Sequence, residues 1–291
     1  MALSFLLAPS AFFSSKDASF FKSTRSQSKP CTRIRASRRP SFSVFMMAGV
    51  SDRALIFDCD GVLCDTERDG HRISFNKAFQ SVGVKAEWDV SLYGHLLEIG
   101  GGKERMTAYF DKAGWPDDVI KSQGVDRQAF IRKLHLLKTQ LFMDLVRDGQ
   151  LPVRPGILRI IDEAHLKGFK LAVASTSNED AVRAIMETQF GLERYSLFKE
   201  VLAGDIVSKK KPNPEIYRLA SYRLDIPPRQ CIVIEDSRIG LLAARGAGMN
   251  VVITRSAYTQ DEDFREADVV LSSLDDPYTT LESLEHKLLN K

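Results

Sequence analysis

Residues 54–66 read ALIFDCDGVLCDT, and this stretch decides the fold class of the chain. Its first four residues are apolar, which is typical of a short strand buried on both faces of a parallel sheet. The run ends at Asp58, and a second carboxylate, Asp60, follows two residues later. A solvated turn with a helix cap is one interpretation of this acid pair, because Asp and Gly are turn residues. A catalytic loop is the other, and this stretch alone leaves both open.

Four further apolar runs indicate strands, and helical patterns separate them. The predicted strands are Ala54–Phe57, Lys170–Ala174, Cys231–Ile234, Asn250–Thr254 and a weaker Asp268–Leu271. The predicted helices are Pro155–Lys167, Glu179–Thr188, Glu215–Leu224 and Ser237–Arg245. Strands that alternate with helices predict an α/β fold, a parallel Rossmann-like sheet with helices on both faces.

The stretch from about Arg68 to Gly149 interrupts this alternation, because it holds amphipathic helices and no convincing strand. The clearest helix is Asp126–Asp148, whose apolar residues recur at steps of three and four and are interpreted as core packing: Phe130, Leu134, Leu137, Leu141 and Leu145. We therefore predict a small all-helical cap inserted after the first strand. The expected domains are a cap over residues 68–151 and a core over residues 51–67 and 152–291, with a hinge at Leu151–Pro155.

The positive charge of the chain is concentrated at its beginning. Of the 291 residues, the first 48 carry eight Lys or Arg, eleven Ser and one acid, Asp17, which leaves 33 basic and 37 acidic residues elsewhere. A Ser- and Arg-rich, acid-poor leader predicts an organelle transit peptide over residues 1–48, with a simple disordered tail as the alternative. Its apolar runs are too short for a membrane span. The mildly acidic remainder argues against a nucleic-acid partner.

Polar side chains follow several predicted strands, at the edge where open parallel sheets bind ligands. The second strand leads into a cluster that can cap the next helix or donate hydrogen bonds to an anion: Ser175, Thr176, Ser177 and Asn178. Within the lysine triplet 209–211, the rigid Pro-Asn-Pro that follows favours Lys211 as the functional residue and leaves the other two to solvent. A second acid pair, Glu235–Asp236, follows the strand that begins at Cys231.

Two acid pairs, a lysine and a hydroxyl at one sheet edge suit phosphoryl transfer. Clustered carboxylates repel one another unless a cation lies between them, and Mg²⁺ prefers oxygen ligands. Phosphoryl transfer needs a nucleophile, positive charge around the phosphoryl oxygens and a proton donor. We therefore predict a magnesium cofactor and a phosphorylated small-molecule substrate.

The set of Asp58-x-Asp60-Gly61-Val62, Ser175, Lys211 and Glu235–Asp236 resembles the four motifs of the haloacid dehalogenase superfamily, in the same order. The helical insertion resembles the cap of its β-phosphoglucomutase-like branch. Four longer segments are similar to the CbbY-type xylulose-1,5-bisphosphate phosphatases of plastids and bacteria, which remove an inhibitor of Rubisco: Phe57–Asn76, Ile99–Met106, Ser175–Glu179 and Val233–Leu241.

The resemblance implies a role for each motif residue. Asp58 would attack phosphorus and form an aspartyl-phosphate, and Asp60 would act as general acid and then as general base. Lys211 and Ser175 would hold the transferring phosphoryl oxygens. The implied magnesium ligands are the Asp58 carboxylate, the Asp60 backbone carbonyl, Asp236 and, directly or through water, Glu235.

The cap would select the substrate. Gly100, Gly101, Gly102 and Lys103 form a glycine run before a helical pattern, and its free N–H groups suit a phosphate. The run lacks P-loop spacing, so no ATP site is indicated. A bisphosphate needs a second anion site, and the candidates are Lys103, Arg105, His71 and Arg72. The resemblance adds Glu67, near sugar hydroxyls, together with His135 and Lys138. Ordinary satisfied histidines are the alternative for His71 and His135.

Three classes of function stay open on the sequence. A phosphatase acting on xylulose 1,5-bisphosphate is preferred. A phosphosugar mutase uses the same motif residues, and only the stoichiometric release of phosphate separates the two. A non-enzymatic binding module with this fold is the third class, and it is disfavoured by the intact motifs. The expected setting is the chloroplast stroma, as a monomer with neither nucleic acid nor membrane as a partner.

Overall fold

The computed structural model describes residues 52–99 and 101–289, so the predicted transit peptide and Gly100 lie outside the described residues. Six strands form one parallel sheet in the order β3-β2-β1-β4-β5-β6. The strands are β1 Ala54–Phe57, β2 Lys170–Ala174, β3 Phe198–Leu202, β4 Cys231–Glu235, β5 Asn250–Thr254 and β6 Val269–Leu271. All five strands predicted from the sequence are therefore confirmed.

Helices surround this sheet in an order that follows the chain. They are α1 Arg72–Ser81, α2 Val90–Leu96, α3 Gly102–Ala113, α4 Asp117–Ser122, α5 Arg127–Arg147, α6 Ile157–Leu166, α7 Glu179–Tyr195, α8 Glu215–Leu224, α9 Arg238–Gly246 and α10 Leu281–Leu288. A π-helical turn, Thr66–His71, precedes α1, and a 3₁₀ turn, Pro228–Gln230, precedes β4.

Both faces of the sheet are buried, as the apolar strand runs predict. Leu55 and Phe57 of β1 belong to a core cluster shared with α6, α7 and α10. Ala54 and Ile56 belong to a second cluster shared with α8 and α9. Because successive side chains of a strand point to opposite faces, these two clusters lie on opposite sides of the sheet. The predicted α/β class is confirmed.

The strand β3 was not predicted, and α7 is longer than predicted. Strand β3 reads FKEVL and forms one edge of the sheet, where Lys199 is exposed and breaks the apolar run. Helix α7 was predicted to end at Thr188, but the helical assignment continues to Tyr195 across a kink at Gly191. A positive φ of 72° at that glycine makes the kink possible.

Helices α1 to α5, which together with the π-helical turn before them are called the helical segment below, share an apolar cluster of their own. Every fully buried member of this cluster lies between Phe75 and Leu134. The last turns of α5 instead pack into the core cluster below the sheet, through Phe142 and Leu145. The predicted α5 stripe thus serves core packing, as expected. Asp126 caps this helix by accepting a hydrogen bond from the Ala129 N–H.

The segment that leads from β1 into the helical segment lies beside the segment that leads back to α6. Cys64, after β1, forms a bridge with Val153, and the Arg154 N–H donates to the Leu63 carbonyl at 2.9 Å. The predicted hinge segment is thus tied to the loop that carries the first acid pair. In the part of the chain that the structure describes, no helix has the length and apolar character needed to cross a membrane.

Candidate active site

The sheet register brings the sequence motifs together at one edge. Phe57 pairs with Ile234 on one side and with Val173 on the other. The next residue, Asp58, therefore lies beside the end of β4, and its N–H donates to the Ile234 carbonyl at 3.0 Å. Parallel strands in register place their carboxyl ends at the same edge.

Lys211 lies between two carboxylates of this edge. Its ammonium donates to Asp58 Oδ1 at 2.6 Å and to Glu235 Oε1 at 2.7 Å, and its side chain is only 4% exposed. Although burial works against the charged form, Asp58 and Glu235 raise the pKa of Lys211 well above its ordinary value. The lysine chosen from the triplet is the one at the site, whereas Lys210 forms an exposed ion pair with Asp205.

Glu235 is fully buried and held through both oxygens. Oε1 also accepts a hydrogen bond from the Tyr217 hydroxyl at 2.7 Å. Oε2 accepts from the Asp236 N–H at 3.0 Å and from the N–H and hydroxyl of Ser237. A β-carbon at Gly240 would collide with this carboxylate, so only glycine fits there. Tyr217 was not predicted, because it reads as an ordinary apolar position of α8.

Three buried carboxylates converge at this point. Oxygens of Asp58, Glu235 and Asp236 all lie within 4.8 Å of one another. Burial, opposed by Lys211 and reinforced by the negative charge of Glu235 and Asp60, raises the pKa of Asp58 to about 7. Burial and the charges of Glu235 and Asp58 raise the pKa of Asp236. A cluster of hard oxygen donors with one lysine among them fits a divalent cation such as Mg²⁺.

Asp60 is held by two hydroxyl groups, one on each of its carboxylate oxygens. The Thr66 hydroxyl donates to Asp60 Oδ1 at 2.5 Å, and the Ser177 hydroxyl donates to Oδ2. Thr66 was not predicted as a site residue, since threonine in a polar loop carries little signal by itself. Both oxygens of Asp60 are thus hydrogen-bond acceptors in this structure.

The polar cluster after β2 divides between helix capping and the site. Ser175 is buried, and its hydroxyl accepts from the Ser177 N–H at 3.2 Å. Asn178 is the N-cap of α7 and accepts from the Ala181 N–H at 3.1 Å. Thr176 is half-buried between them. The capping interpretation is therefore confirmed for Asn178, and anion binding by the cluster stays a prediction.

Arg154 was missed by the sequence interpretation, although it braces the loop of the first acid pair. Its Nη1 donates to the carbonyls of Gly61 and, at 3.1 Å, Thr254, and its Nη2 donates to the Arg255 carbonyl at 2.6 Å. A β-carbon at Gly61 would collide with the Asp236 carboxylate. The loop that carries Asp58 and Asp60 therefore packs so closely against Asp236 that a side chain at position 61 would not fit.

A second group of polar residues lies on the helical segment and lines a cleft of about 830 Å³ that also reaches Asp60. The Lys138 Nζ is 2.7 Å from His71 Nδ1 and lies over the rings of Phe75 and Phe142. Burial lowers the pKa of Lys138 to about 8, and burial together with Lys138 lowers the pKa of His71 to about 3. His71 is therefore neutral and accepts a hydrogen bond from the Lys138 ammonium.

The remaining cationic residues predicted for the second anion site differ in how many hydrogen bonds they donate within the protein and in their exposure. Arg72 donates to the carbonyls of Arg68 and Trp88, both at 3.2 Å. Arg105 is buried and donates to backbone carbonyls and to Tyr93. Lys103 is exposed in the first turn of α3.

The described part of the glycine run lies at the start of α3. Gly101 is the N-cap residue of this helix, with a φ of 91°, and Gly102 is its first residue. A β-carbon at Gly102 would lie 3.0 Å from the His135 ring, so the run and this histidine are neighbours. Burial lowers the pKa of His135, as do Lys138 and Lys103.

Comparison with known proteins decides the family. The sequence model of the haloacid dehalogenase-like hydrolases matches residues 53–248, more than half of the chain. The chain belongs to the haloacid dehalogenase-like hydrolases. The predicted enzyme class, a phosphatase of this family, is thereby confirmed.

Individual relatives narrow the resemblance to the CbbY group. A CBBY-like protein of Arabidopsis thaliana is 54% identical over 224 residues, which are 77% of this chain and 70% of that protein. The crystal structure of CbbY from Rhodobacter sphaeroides with phosphate is 38% identical, with a TM-score of 0.63 over 80% of this chain and 99% of that chain. A mutant of that CbbY in complex with xylulose-(1,5)bisphosphate is 38% identical, with a TM-score of 0.60 over 77% of this chain and 95% of that chain.

Proposed function

We propose that this chain is a magnesium-dependent sugar-phosphate phosphatase that hydrolyses xylulose 1,5-bisphosphate to xylulose 5-phosphate and phosphate. The observation that carries the proposal is the convergence of Asp58, Glu235 and Asp236 around Lys211. The bisphosphate is suggested by the CbbY complex, which binds this sugar.

The residues suited to hold Mg²⁺ are Asp58, Asp236 and the backbone carbonyl of Asp60. Glu235 already receives hydrogen bonds at both oxygens, so it would act mainly by fixing Lys211 beside Asp58. When bound, Mg²⁺ would neutralise the carboxylates and the phosphoryl oxygens, which lets two anions approach each other.

In the proposed reaction Asp58 is the nucleophile. Lys211 occupies Asp58 Oδ1, which leaves Oδ2 to attack phosphorus while the bond from phosphorus to the sugar oxygen breaks. Asp60 would protonate the departing oxygen and then take a proton from the water that hydrolyses the aspartyl-phosphate. To do so it would exchange its hydrogen bond from Ser177 for one to the substrate. Ser175 and Lys211 would hold the transferring phosphoryl group.

The helical segment would act as the cap, with residues 68–151 as cap domain and residues 51–67 and 152–291 as core domain. Its separate apolar cluster and the paired connections at Cys64 and Val153 support this division. The second phosphate of the substrate would bind on the cap, where Lys138 lines the cleft and the charge of Lys103 acts on His135, another residue of the cleft.

The proposed setting is the chloroplast stroma, where residues 1–48 would serve as a transit peptide and the chain would act as a monomer. The composition of those residues and the similarity to a plant CBBY-like protein support this setting. Import of a fusion of residues 1–48 to a fluorescent protein into isolated chloroplasts tests it, and retention of the fusion outside would contradict it.

A phosphate-release assay tests the function. The purified protein with Mg²⁺ is expected to release one phosphate per xylulose 1,5-bisphosphate and to lose activity in EDTA. A phosphosugar mutase would convert a sugar monophosphate without stoichiometric release, and a binding module would turn over neither. Either outcome would contradict the proposal.

A further inference from the structure

Three side chains form a hydrogen-bonded chain from the beginning of the helical segment to helix α3. The Tyr93 hydroxyl is 2.7 Å from Glu67 Oε2, and the Arg105 Nη1 is 3.0 Å from the Tyr93 hydroxyl. Tyr93 is completely buried and Arg105 is 8% exposed, whereas Glu67 is half-buried. The chain therefore connects a buried arginine to a carboxylate that solvent reaches.

The direction of each proton in this chain is fixed by chemistry. A guanidinium only donates, so Arg105 gives a hydrogen bond to the Tyr93 oxygen. The Tyr93 proton must then point to Glu67, which accepts it as a carboxylate. Burial and the Glu67 charge raise the pKa of Tyr93, so its hydroxyl stays protonated and remains a donor. Glu67 Oε2 is thereby held as the acceptor of this hydrogen bond.

Arg105 cannot move freely, because the rest of its guanidinium is anchored in the backbone. Its Nε donates to the Leu96 carbonyl at 2.9 Å and its Nη2 to the Ile99 carbonyl at 3.3 Å. The guanidinium also lies 5.2 Å from the centre of the Tyr93 ring. The Leu96 and Ile99 carbonyls lie just before the glycine run in the chain. Arg105 therefore links the backbone before this run to Glu67 through Tyr93.

The other oxygen of Glu67 has no such partner. Among the residues that the structure describes, the Tyr93 hydroxyl is the hydrogen-bond donor to this carboxylate, and Oε1 receives none. A half-buried carboxylate oxygen with a fixed orientation is suited to accept hydrogen bonds from the hydroxyl groups of a sugar. Lys138 lines the cleft that reaches Asp60, and the charge of Glu67 raises the pKa of Lys138 against the larger lowering by burial.

We propose that Tyr93 and Arg105 are positioning residues that hold Glu67 as a hydrogen-bond acceptor for the hydroxyl groups of a phosphorylated sugar. Neither residue touches the substrate; both act through Glu67. Arg105, expected from the sequence to bind the second phosphate, acts instead through Tyr93 and through the backbone before the glycine run. The inference rests on the proposed function, because it assumes a sugar phosphate in the cleft.

Tyr93→Phe removes a single hydroxyl from this chain. We expect kcat/KM for the sugar bisphosphate to fall about tenfold, the loss that follows from one hydrogen bond to a charged group. With p-nitrophenyl phosphate, which has no sugar hydroxyls, the loss should stay within about twofold. Tyr109→Phe is the matched control, because Tyr109 and Tyr93 both pack against the Trp88 ring. This control variant should leave kcat/KM unchanged for both substrates.

A double-mutant cycle separates positioning from general support of the fold. If Tyr93 acts through Glu67, Tyr93→Phe should cost less than twofold in kcat/KM when introduced into Glu67→Ala. Independent losses that multiply in the double variant would overturn the proposal, as would equal losses of Tyr93→Phe on both substrates. Wild-type turnover of p-nitrophenyl phosphate with Mg²⁺ is measured in parallel. Its absence would refute the phosphatase itself, whereas its presence with multiplying losses would refute only the positioning chain.

Discussion

The edge of the sheet and the helical segment carry opposite excesses of charge. At the sheet edge, the buried carboxylates of Asp58, Glu235 and Asp236 surround Lys211. On the helical segment, the ammonium of Lys138 meets a neutral His71 and two aromatic rings. The first region holds three carboxylates for one ammonium and suits a divalent metal ion, whereas the second holds a buried ammonium and suits a phosphate group of the sugar. The proposed function thus divides into chemistry on the core and substrate selection on the helices.

The largest effect is expected at the sheet edge. Lys211→Met would remove the ammonium that contacts both Asp58 and Glu235, and kcat should fall by about 10²–10³-fold, as for other preorganised charge-stabilising groups. The neighbouring Lys210 forms a surface ion pair, so Lys210→Met should stay within about twofold. Steady-state phosphate release by both variants measures this difference. Equal losses of kcat in the two variants would contradict the role of Lys211.

The helical segment should instead control the pH dependence of bisphosphate use. The pKa of Lys138 is lowered to about 8, so its ammonium is present below that pH and is lost above it. Glu67 opposes this lowering and Arg105 contributes to it. Relative to p-nitrophenyl phosphate, kcat/KM for the bisphosphate should fall up to about tenfold as the pH rises through 8.

The control for this pH profile is Lys138→Met. In that variant the bisphosphate should be used poorly at every pH, and the ratio of the two substrates should be flat between pH 7 and about 9. An unchanged decline in Lys138→Met would assign the titration to another group and would place the anion site elsewhere.

A smaller effect is expected from Lys103, which is exposed at the start of α3. Lys103→Ala should raise KM for the bisphosphate by about threefold to tenfold, because a solvated ammonium contributes less than a buried one. The use of a sugar monophosphate should change less. Equal losses on the mono- and bisphosphate would remove Lys103 from the second anion site.

The smallest effect concerns stability. Asn178 caps α7, so Asn178→Ala should lower the free energy of unfolding by about 1 kcal/mol. Asn178→Asp, which retains a side-chain acceptor, should retain most of that stability. Urea denaturation of both variants measures the difference, and an unchanged midpoint for Asn178→Ala would show that the cap contributes nothing.

The sequence predicted the sheet and its edge because both depend on local signals. Apolar runs marked five of the six strands, and each polar motif directly follows a strand. Strand β3 escaped detection, since an edge strand tolerates residues such as Lys199. The polar motifs come together because parallel strands end at one edge, which is a property of the fold class.

Contacts between distant segments were harder to anticipate. Tyr217 and Thr66 look like ordinary packing or loop residues until the fold places their hydroxyls against Glu235 and Asp60. Arg105 lies in a motif that suggests anion binding, yet its guanidinium donates its hydrogen bonds to two backbone carbonyls and to the Tyr93 hydroxyl. A sequence pattern identifies charges, but their partners depend on how the helices pack.

The chemical identity of the covalent intermediate tests the role of Asp58. The protein is quenched in acid during turnover of the bisphosphate, reduced with borohydride and mapped by peptide mass spectrometry. We expect the residue reduced to homoserine to be Asp58, and Asp58→Asn to yield neither this product nor turnover. Reduction at another carboxylate, or hydrolysis by Asp58→Asn at a rate near that of the wild type, would contradict it.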